Sequence, residues 1–317
     1  MHAAGAPRRR FQFSLKWLLL WVAIVSVPLA WTGVKVHQKR IERAAVDELK
    51  RAGVHVHYHN WQPTRGAEPP GPAWIRKLLG DDVWTYVEGI GGYGFAERGD
   101  LTDASMAHVE ALTRLRSLYR CSSEVTDAGL AHLQGLTELE DLWLGQTRVT
   151  DAGLAYVKRL GELRKLGLSG TKVGDAGLAH LQRLVKLQGL WLNDGPGVTD
   201  TGLVHLQGFS ELQMLGLNGN RISGAGLAHL RGLGKLKELW LENTGLTDDG
   251  LFHLRGLKQL ELLVVSGTNV TDAGLPHLHG LSSLRTLDLE DTKVSDAGVA
   301  ELETALPNCE IIHFDYR

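Results

Sequence analysis

A six-residue motif, V-T-D-A-G-L or a close variant, recurs along the C-terminal two thirds of the chain. The period is 24 residues, broken once by a single extra residue between Asn193 and Gly197. Self-similarity at a period of this size predicts an array in which each unit packs only against its neighbours. The nine copies begin at Leu101, Val125, Val149, Val173, Val198, Ile222, Leu246, Val270 and Val294.

Each copy combines two hydrophobic periodicities. In the copy that begins at Val125, leucines first recur at helical spacing and then alternate, as in a strand. Thr126 or Asp127 is expected to cap the helix, and Gly129 and its equivalents indicate close approach of successive helices. About seven buried apolar side chains do not offset the ordering of a whole unit, so one unit alone should be unstable.

The order L-x-x-L-x-x-L-x-L-x-x-T, as in LTELEDLWLGQT, resembles the leucine-rich-repeat family. The V-T-D-A-G-L motif is similar to the subclass in bacterial proteins of planctomycete type and to the cysteine-containing repeats of F-box proteins. The resemblance implies an α/β solenoid with a curved parallel sheet inside, short helices outside and ligands on the concave sheet. Many relatives have asparagine where this chain has threonine, whose hydroxyl should satisfy only part of the backbone ladder: Thr147, Thr171, Thr244, Thr268 and Thr292.

The N-terminal region predicts a membrane anchor. After the basic segment 1–16, the apolar run 17–34 reaches about 27 Å as a helix, which matches the thickness of a bilayer core. Trp17, Trp21 and Trp31 lie towards its ends, as interfacial aromatic residues do. A cleaved signal peptide is the alternative, but no A-x-A-like cleavage site stands nearby. An uncleaved single span, or signal anchor, is therefore preferred, and basic residues on both sides leave its orientation open.

Three segments separate this anchor from the repeat domain 101–317. Residues 35–61 predict a juxtamembrane helix that stops at Gly53, followed by a strand. Residues 62–73 are proline-rich and predict a linker. Residues 74–100 read as a helix and a strand without the motif, which is typical of a solenoid's N-terminal cap.

Two histidine patterns suggest metal binding, and both are better explained otherwise. His55, His57 and His59 share one strand face, but their spacing of about 6.6 Å is wide for one ion. Seven more recur on successive helices and should point the same way without converging, so packing between helices is preferred. If these imidazoles are half-buried and neutral, stability should fall below about pH 6.5. The column is His108, His132, His180, His205, His229, His253 and His277, with Tyr156 in the remaining place.

Composition and motifs argue against several further functions. A formal net charge of −2 lacks the basic excess that nucleic-acid binding requires. Cys121 and Cys309 are eight units apart, about 40 Å at about 4.8 Å per strand, so they cannot pair with each other. The G-x-G-x-x-G sequence that begins at Gly89 and includes Gly91 and Gly94 opens no helix directly, so a flexible loop is preferred to a dinucleotide site. No C-x-x-C, H-E-x-x-H, G-x-S-x-G or Walker sequence occurs, and neither an enzyme nor a cofactor is predicted.

The residue between the two strand leucines is expected to face the concave side of the sheet. This column reads Tyr119, Trp143, Gly167, Trp191, Gly216, Trp240, Val264 and Asp288. Each large ring can lie over a neighbouring glycine, with ring centres about 10 Å apart. Exposed aromatic side chains serve as interface anchors. The alternative is that the rings only stiffen the sheet.

Charged residues flank this column and change sign along the array, which favours a partner whose charge is reversed along its length. Basic residues dominate at the start and acidic residues at the end: Arg116, Asp141, Arg164 and Lys165, then Glu238, Glu242, Glu261, Glu290 and Asp291. The predicted partner-binding residues are Tyr119, Asp141, Trp143, Lys165, Trp191, Asn193, Asn218, Glu238, Trp240, Glu242, Asp288 and Glu290.

The sequence thus predicts a membrane-anchored interaction module that binds a protein, or a cell-envelope polymer, on a concave sheet. A structural envelope spacer without a defined ligand is the second hypothesis. The third is a ubiquitin-ligase substrate adaptor of F-box type, and a predicted membrane span where the F-box would be needed argues against it.

Overall fold

A computed structural model describes residues 15–58, 86–91, 101–119, 124–195 and 197–314. In this part of the chain, one sheet contains all the strands, and neighbouring strands follow one another in chain order. The first pair is antiparallel and every later pair is parallel. The strands are β1 Val56–Tyr58, β2 Val87–Ile90, β3 Ser117–Leu118, β4 Asp141–Trp143, β5 Lys165–Gly167, β6 Gly189–Trp191, β7 Met214–Gly216, β8 Glu238–Trp240, β9 Leu262–Val264, β10 Thr286–Asp288 and β11 Glu310–Ile312.

A long helix precedes the sheet, and a short helical segment precedes each parallel strand from β3 onward, as the two periodicities predict. The α-helices are α1 Leu15–Arg51, α2 Asp103–Val109, α3 Asp127–Leu130, α4 Asp151–Val157, α5 Asp175–Leu181, α6 Asp248–Leu254 and α7 Asp296–Ala305. Apolar spacing does not distinguish an α-helix from a 3₁₀ helix. The remaining described helical segments are 3₁₀ helices: Ala131–Leu133, Gly202–Leu206, Ala225–Leu230 and Asp272–His277.

The leucines of each unit form one continuous core between the sheet and the helices. In the unit that begins at Val125, the leucines at 130, 133, 136, 139, 142 and 144 are all 0% exposed. The α/β solenoid with short helical segments and one sheet, parallel from β2 onward, is therefore confirmed. A helix is about 10 Å wide, whereas neighbouring strands are only about 4.8 Å apart, so we expect the stack to curve with the sheet on its inner side.

At every step but one, an aspartate of the motif joins a unit to the next. Thr126 caps its own helix through the backbone N–H of Ala128, whereas Asp127 accepts two hydrogen bonds from the following unit. Its carboxylate oxygens lie 2.8 Å from the backbone nitrogen and 2.6 Å from the hydroxyl of Thr150. The same contact recurs along the array, and we call it the aspartate ladder. Its acceptors are Asp103, Asp127, Asp151, Asp175, Asp200, Asp248 and Asp272.

The motif glycine leaves room for this ladder. A Cβ added at Gly153 would lie within 3.0 Å of the Asp127 carboxylate, and the equivalent glycines meet their aspartates in the same way. The predicted close approach of successive units is thus confirmed. At one step Gly224, with φ 112°, replaces the aspartate, and Gly250 packs directly on its backbone. The ladder lacks a contact there.

A second ladder runs along the strand ends. The hydroxyl of Thr147 donates to the carbonyl of Leu144 at 2.6 Å, and the other four threonines of this column make the equivalent bond. Asn220, at the same position, donates to three carbonyls. The prediction that a threonine satisfies only part of this ladder is confirmed.

The end of α1 is part of the solenoid's N-terminal cap. Ala45, Val46 and Leu49 are buried in the same core as the repeats. The helix ends where predicted: Gly53 has φ 79°, and the backbone nitrogen of Val54 donates to the carbonyl of Leu49. Directly after this helix, β1 pairs with β2. The cap therefore includes residues of the segment 35–61, which the sequence predicts to be juxtamembrane.

Within the part of the chain that the structure describes, we find no helix that is sufficiently long and apolar to cross a membrane. The side chains of Trp17, Trp21 and Trp31 lie outside the described residues. So do the predicted linker 62–73 and, within the predicted cap, residues 74–85 and 92–100.

Candidate partner-binding surface

The strands present one face to the core and the opposite face to solvent. On β4 the outward side chains are Asp141 and Trp143, followed by Gly145 after the strand, and the corresponding positions of the other parallel strands form what we call the open face. All twelve predicted partner-binding residues lie on it, and all are partly exposed. The column assignment from alternation therefore agrees with the structure, and the role of these residues in binding stays a prediction.

Three aromatic side chains of the open face touch one another, and we call Tyr119, Trp143 and Trp191 the aromatic cluster. The Tyr119 and Trp143 ring centroids are 6.4 Å apart and the planes differ by 25°. The Trp143 and Trp191 centroids are only 4.7 Å apart. The expected spacing of about 10 Å between the tryptophans is thus wrong, because it assumed that side chains stand upright on their strands.

Glycines explain why the rings can lean together. A Cβ at Gly167 would come within 3.0 Å of the Trp143 ring, and a Cβ at Gly189 would meet the Trp191 ring at 2.5 Å. Both indoles therefore lie across bare backbone. Gly167 belongs to the predicted column, whereas Gly189, two residues before Trp191 on the same strand, was missed. The signal was available, because residues two apart share a strand face.

Trp240 is separate from the aromatic cluster. Among the described residues, no aromatic ring contacts it. Its strand neighbours in the column are Gly216 and Val264. On its own strand, Glu238 and Glu242 occupy the outward positions on either side, and all three side chains are partly exposed.

Polar side chains of the open face form their own hydrogen bonds. The Asn193 side-chain oxygen accepts from the backbone nitrogen of Asn218 at 3.0 Å. Asn218 in turn accepts from the backbone of Glu242 and donates to its carboxylate at 3.1 Å. Tyr119 donates its hydroxyl to Asp141 at 2.8 Å. These residues are held in fixed positions before any partner arrives.

Ion pairs reduce the predicted charge gradient. Glu140, which the sequence analysis did not single out, bridges Arg116 at 3.1 Å and Arg164 at 3.3 Å. Glu261 pairs with Lys237 at 3.0 Å and approaches Arg285 at 3.9 Å. Lys237 and, more weakly, Arg285 lower the pKa of Glu261. Charges expected to face a partner are therefore partly neutralised within the sheet.

The histidine column lies on the helical side and makes contacts between units. His205 and His229 bond at Nδ1 to glutamines of the preceding unit at 2.7 and 2.6 Å, whereas His132 bonds to Glu110 at 3.0 Å. Within the described chain no three metal-binding side chains come together. The interpretation as packing between helices agrees with these contacts.

Within this column, His253 lies beside two arginines. Arg231 donates to its Nδ1 at 2.6 Å, and Arg255 lies over the adjacent Phe252 ring at 3.8 Å. Burial first, and then the two guanidinium charges, lower the pKa of His253. Because an arginine can only donate, this imidazole nitrogen is unprotonated in the folded chain.

The other candidates from the sequence have structural roles where they are described. His57 bonds to the carbonyl of Gly91 at 2.6 Å, and Gly91, with φ 78°, packs against the Tyr119 backbone. His59, Gly94 and Cys121 lie outside the described residues. Cys309 is a free thiol, and burial raises its pKa to about 11.

No protein-family model matches the sequence, and no curated protein matches it. Among solved structures, internalin C2 from Listeria monocytogenes is 25% identical over 68% of this chain and 84% of that chain, with a TM-score of 0.50. Internalin inlF from the same organism is 20% identical over 71% and 87%, with a TM-score of 0.36.

A plant structure is also similar. The LRR ectodomain of the membrane receptor kinase GASSHO1/SCHENGEN3 from Arabidopsis thaliana, in complex with CASPARIAN STRIP INTEGRITY FACTOR 2, is 20% identical. The match covers 79% of this chain and 32% of that chain, with a TM-score of 0.48. These neighbours are leucine-rich-repeat proteins, and the likeness to internalin C2 supports the same fold for this chain. The planctomycete and F-box resemblances stay predictions.

Proposed function

We propose that this chain is an interaction module that holds a protein partner, or a cell-envelope polymer, on the open face of its solenoid. The observation that carries the proposal is the set of partly exposed aromatic side chains along one face of the sheet. Aromatic side chains contribute large contact areas at interfaces and lose little conformational entropy on binding. In this proposal the chain binds and has no catalytic group, metal or cofactor.

The spacer hypothesis explains the aromatic cluster but not Trp240. Rings that stack on one another and on glycines stabilise the sheet whether or not a ligand is present. Trp240 has no such ring contact within the described residues and lies between two carboxylates. Because no described ring stacks on Trp240, we take its partly exposed indole as a contact for a partner.

Affinity capture with the full-length chain tests the proposal. The test variant is W143A/W191A/W240A, and the matched control is V185A/V204A, which truncates exposed apolar side chains outside the open face. We expect partners identified by mass spectrometry to be retained by the wild type and the control but lost from the test variant. Circular dichroism must show that all three are folded. Equal retention by a folded test variant would support the spacer hypothesis instead.

We also propose that residues 17–34 attach the chain to a membrane as a single uncleaved span. The support is the length and apolar character of that run and the tryptophans towards its ends. Alkaline extraction of membranes from expressing cells should retain the full-length chain and release a variant without residues 1–34. Release of both, with a shortened N terminus found by mass spectrometry, would identify a cleaved signal peptide.

A further inference from the structure

Every charged outward position in the C-terminal half of the open face is acidic, and the charges lie on or just after β8 and β10. From β7 to β10, the outward positions carry four carboxylates, Glu238, Glu242, Asp288 and Glu290, and no lysine or arginine. Lys237 and Arg285 directly precede outward positions of β8 and β10, and Glu261 pairs with Lys237 and approaches Arg285. A partner that covers this half must therefore compensate several negative charges or lose affinity.

The two glutamates bracket Trp240. Residues 238, 240 and 242 alternate along one strand, so their side chains share the open face at intervals of about 6.6 Å. Asn218 fixes Glu242, donating to its carboxylate at 3.1 Å and accepting from its backbone nitrogen at 2.9 Å. The neighbouring Gly216 and Val264 are small and leave the tryptophan without a ring partner among the described residues.

This arrangement suits an organic cation better than a metal ion. An indole face attracts ammonium and guanidinium groups, and flanking carboxylates strengthen that attraction. Alternate strand residues are about 6.6 Å apart along the backbone, and among the described residues no three potential metal ligands come together. A flexible segment with several basic side chains can reach the carboxylates separately. Nucleic acid and other polyanions would be repelled.

We infer that the C-terminal half of the open face binds a lysine- or arginine-containing segment of a protein partner. One basic side chain lies against Trp240 between Glu238 and Glu242, and others reach Asp288 and Glu290. This inference rests on the proposed function and adds to it the chemistry of the partner. The aromatic cluster, in the N-terminal half, supplies the uncharged part of the interface.

The probes are three synthetic fluorescein-labelled decapeptides. They differ in net charge, which is +4, 0 or −4, and are otherwise matched in composition. Fluorescence anisotropy measures their binding to the full-length chain at low and at physiological ionic strength. The test variants are E238Q/E242Q and W240A. The matched control is E301Q/E303Q, which removes two exposed charges from α7, on the helical side.

We expect the +4 peptide to bind most tightly, with a Kd that rises at least tenfold in each test variant and stays within twofold in the control. Higher salt should weaken that binding. Equal loss in the control, or preference for the neutral or acidic peptide, would overturn the inference. Neutral peptides bound through the aromatic cluster, and lost in W143A/W191A, would overturn the inference but support the proposed function. Failure to bind any peptide would overturn this inference, whereas the capture experiment would still decide the proposed function.

Discussion

Asn220 compensates for an irregularity in the preceding unit. That unit contains the extra residue, and Gly195 occupies its ladder position, so no side chain there can reach the carbonyl of Leu192. The Asn220 side-chain nitrogen donates to the carbonyls of Leu192 and Leu217, each at 2.9 Å. Asn220 is only 3% exposed. A threonine reaches only the carbonyl of its own unit, as Thr147 does.

Replacing Asn220 with threonine should therefore leave the Leu192 carbonyl buried without this donor. We expect N220T to lower the free energy of unfolding by about 1–3 kcal/mol, the cost of an unsatisfied buried polar group. The same exchange at exposed Asn269 should change it by less than about 0.5 kcal/mol. Urea unfolding of both variants measures the difference. If the two variants are equally stable, the Asn220 bond to Leu192 contributes nothing.

The positions of the side chains on the open face could be predicted, but their orientations could not. Strand alternation is a local rule, and it placed Trp143, Trp191 and Trp240 correctly. Whether two indoles lean together depends on the side chains of neighbouring strands, which a single repeat does not contain. Gly189 allows the Trp191 ring to lie flat, and strand alternation already placed this glycine on the same face as Trp191, whereas the lean of the ring towards Trp143 could not be predicted.

The aspartate ladder is the main polar connection between helical elements. Asp127 belongs to one helix and accepts two hydrogen bonds from Thr150, the N-cap residue of the helix in the next unit. Such bonds to a charged acceptor are worth about 1.5–3 kcal/mol each. From the sequence this aspartate is expected only to cap its own helix, because the bond to the next unit spans 23 residues.

We expect D127A to lower the free energy of unfolding by at least about 1.5 kcal/mol. Asp249 is the matched control, because it also lies in the first turn of a helix but is exposed and does not belong to the ladder. D249A should cost about 0.3–1 kcal/mol through the helix dipole alone. Guanidinium unfolding distinguishes them, and a D127A variant as stable as D249A would show that the ladder contributes little.

His253, on α6, predicts that the stability of the folded chain depends on pH. The pKa of His253 in the folded chain is below its ordinary value of 6.5, so the unfolded chain binds more protons between these two values. Stability is therefore lost as the pH falls below about 6.5 towards the lower folded pKa. Between pH 7.5 and pH 5.5, the free energy of unfolding should decrease more in the wild type than in H253Q. An equal fall in both would contradict this account.

At the scale of the whole molecule, residues far apart in the sequence form the cap at the N-terminal end of the core. Leu49 of α1 is 0% exposed and belongs to the same core as Met106 of α2. Helical spacing predicted the helix but not its packing, because nothing in the repeats marks where an earlier segment docks. The repeat array was predictable for the opposite reason, since each unit contacts its sequence neighbours.

Truncating Leu49 tests the cap. We expect L49A to lower the free energy of unfolding by about 2–5 kcal/mol, as for other buried leucines. The I41A variant removes a similar side chain, 47% exposed, from the same helix, and should change stability by less than about 0.5 kcal/mol. Thermal and urea unfolding of both measure this. Equal effects would mean that α1 does not stabilise the repeats.

The central claim is that the open face, and not the helical side, is the surface at which this chain meets its partner. Photocrosslinking in living cells tests it directly, with benzoylphenylalanine placed at Val264 on the open face or at Val204 on the helical side. We expect a discrete crosslinked partner from position 264 and none from position 204, with the product lost when W240A is added. A partner crosslinked from position 204 alone, or equally from both, would contradict it.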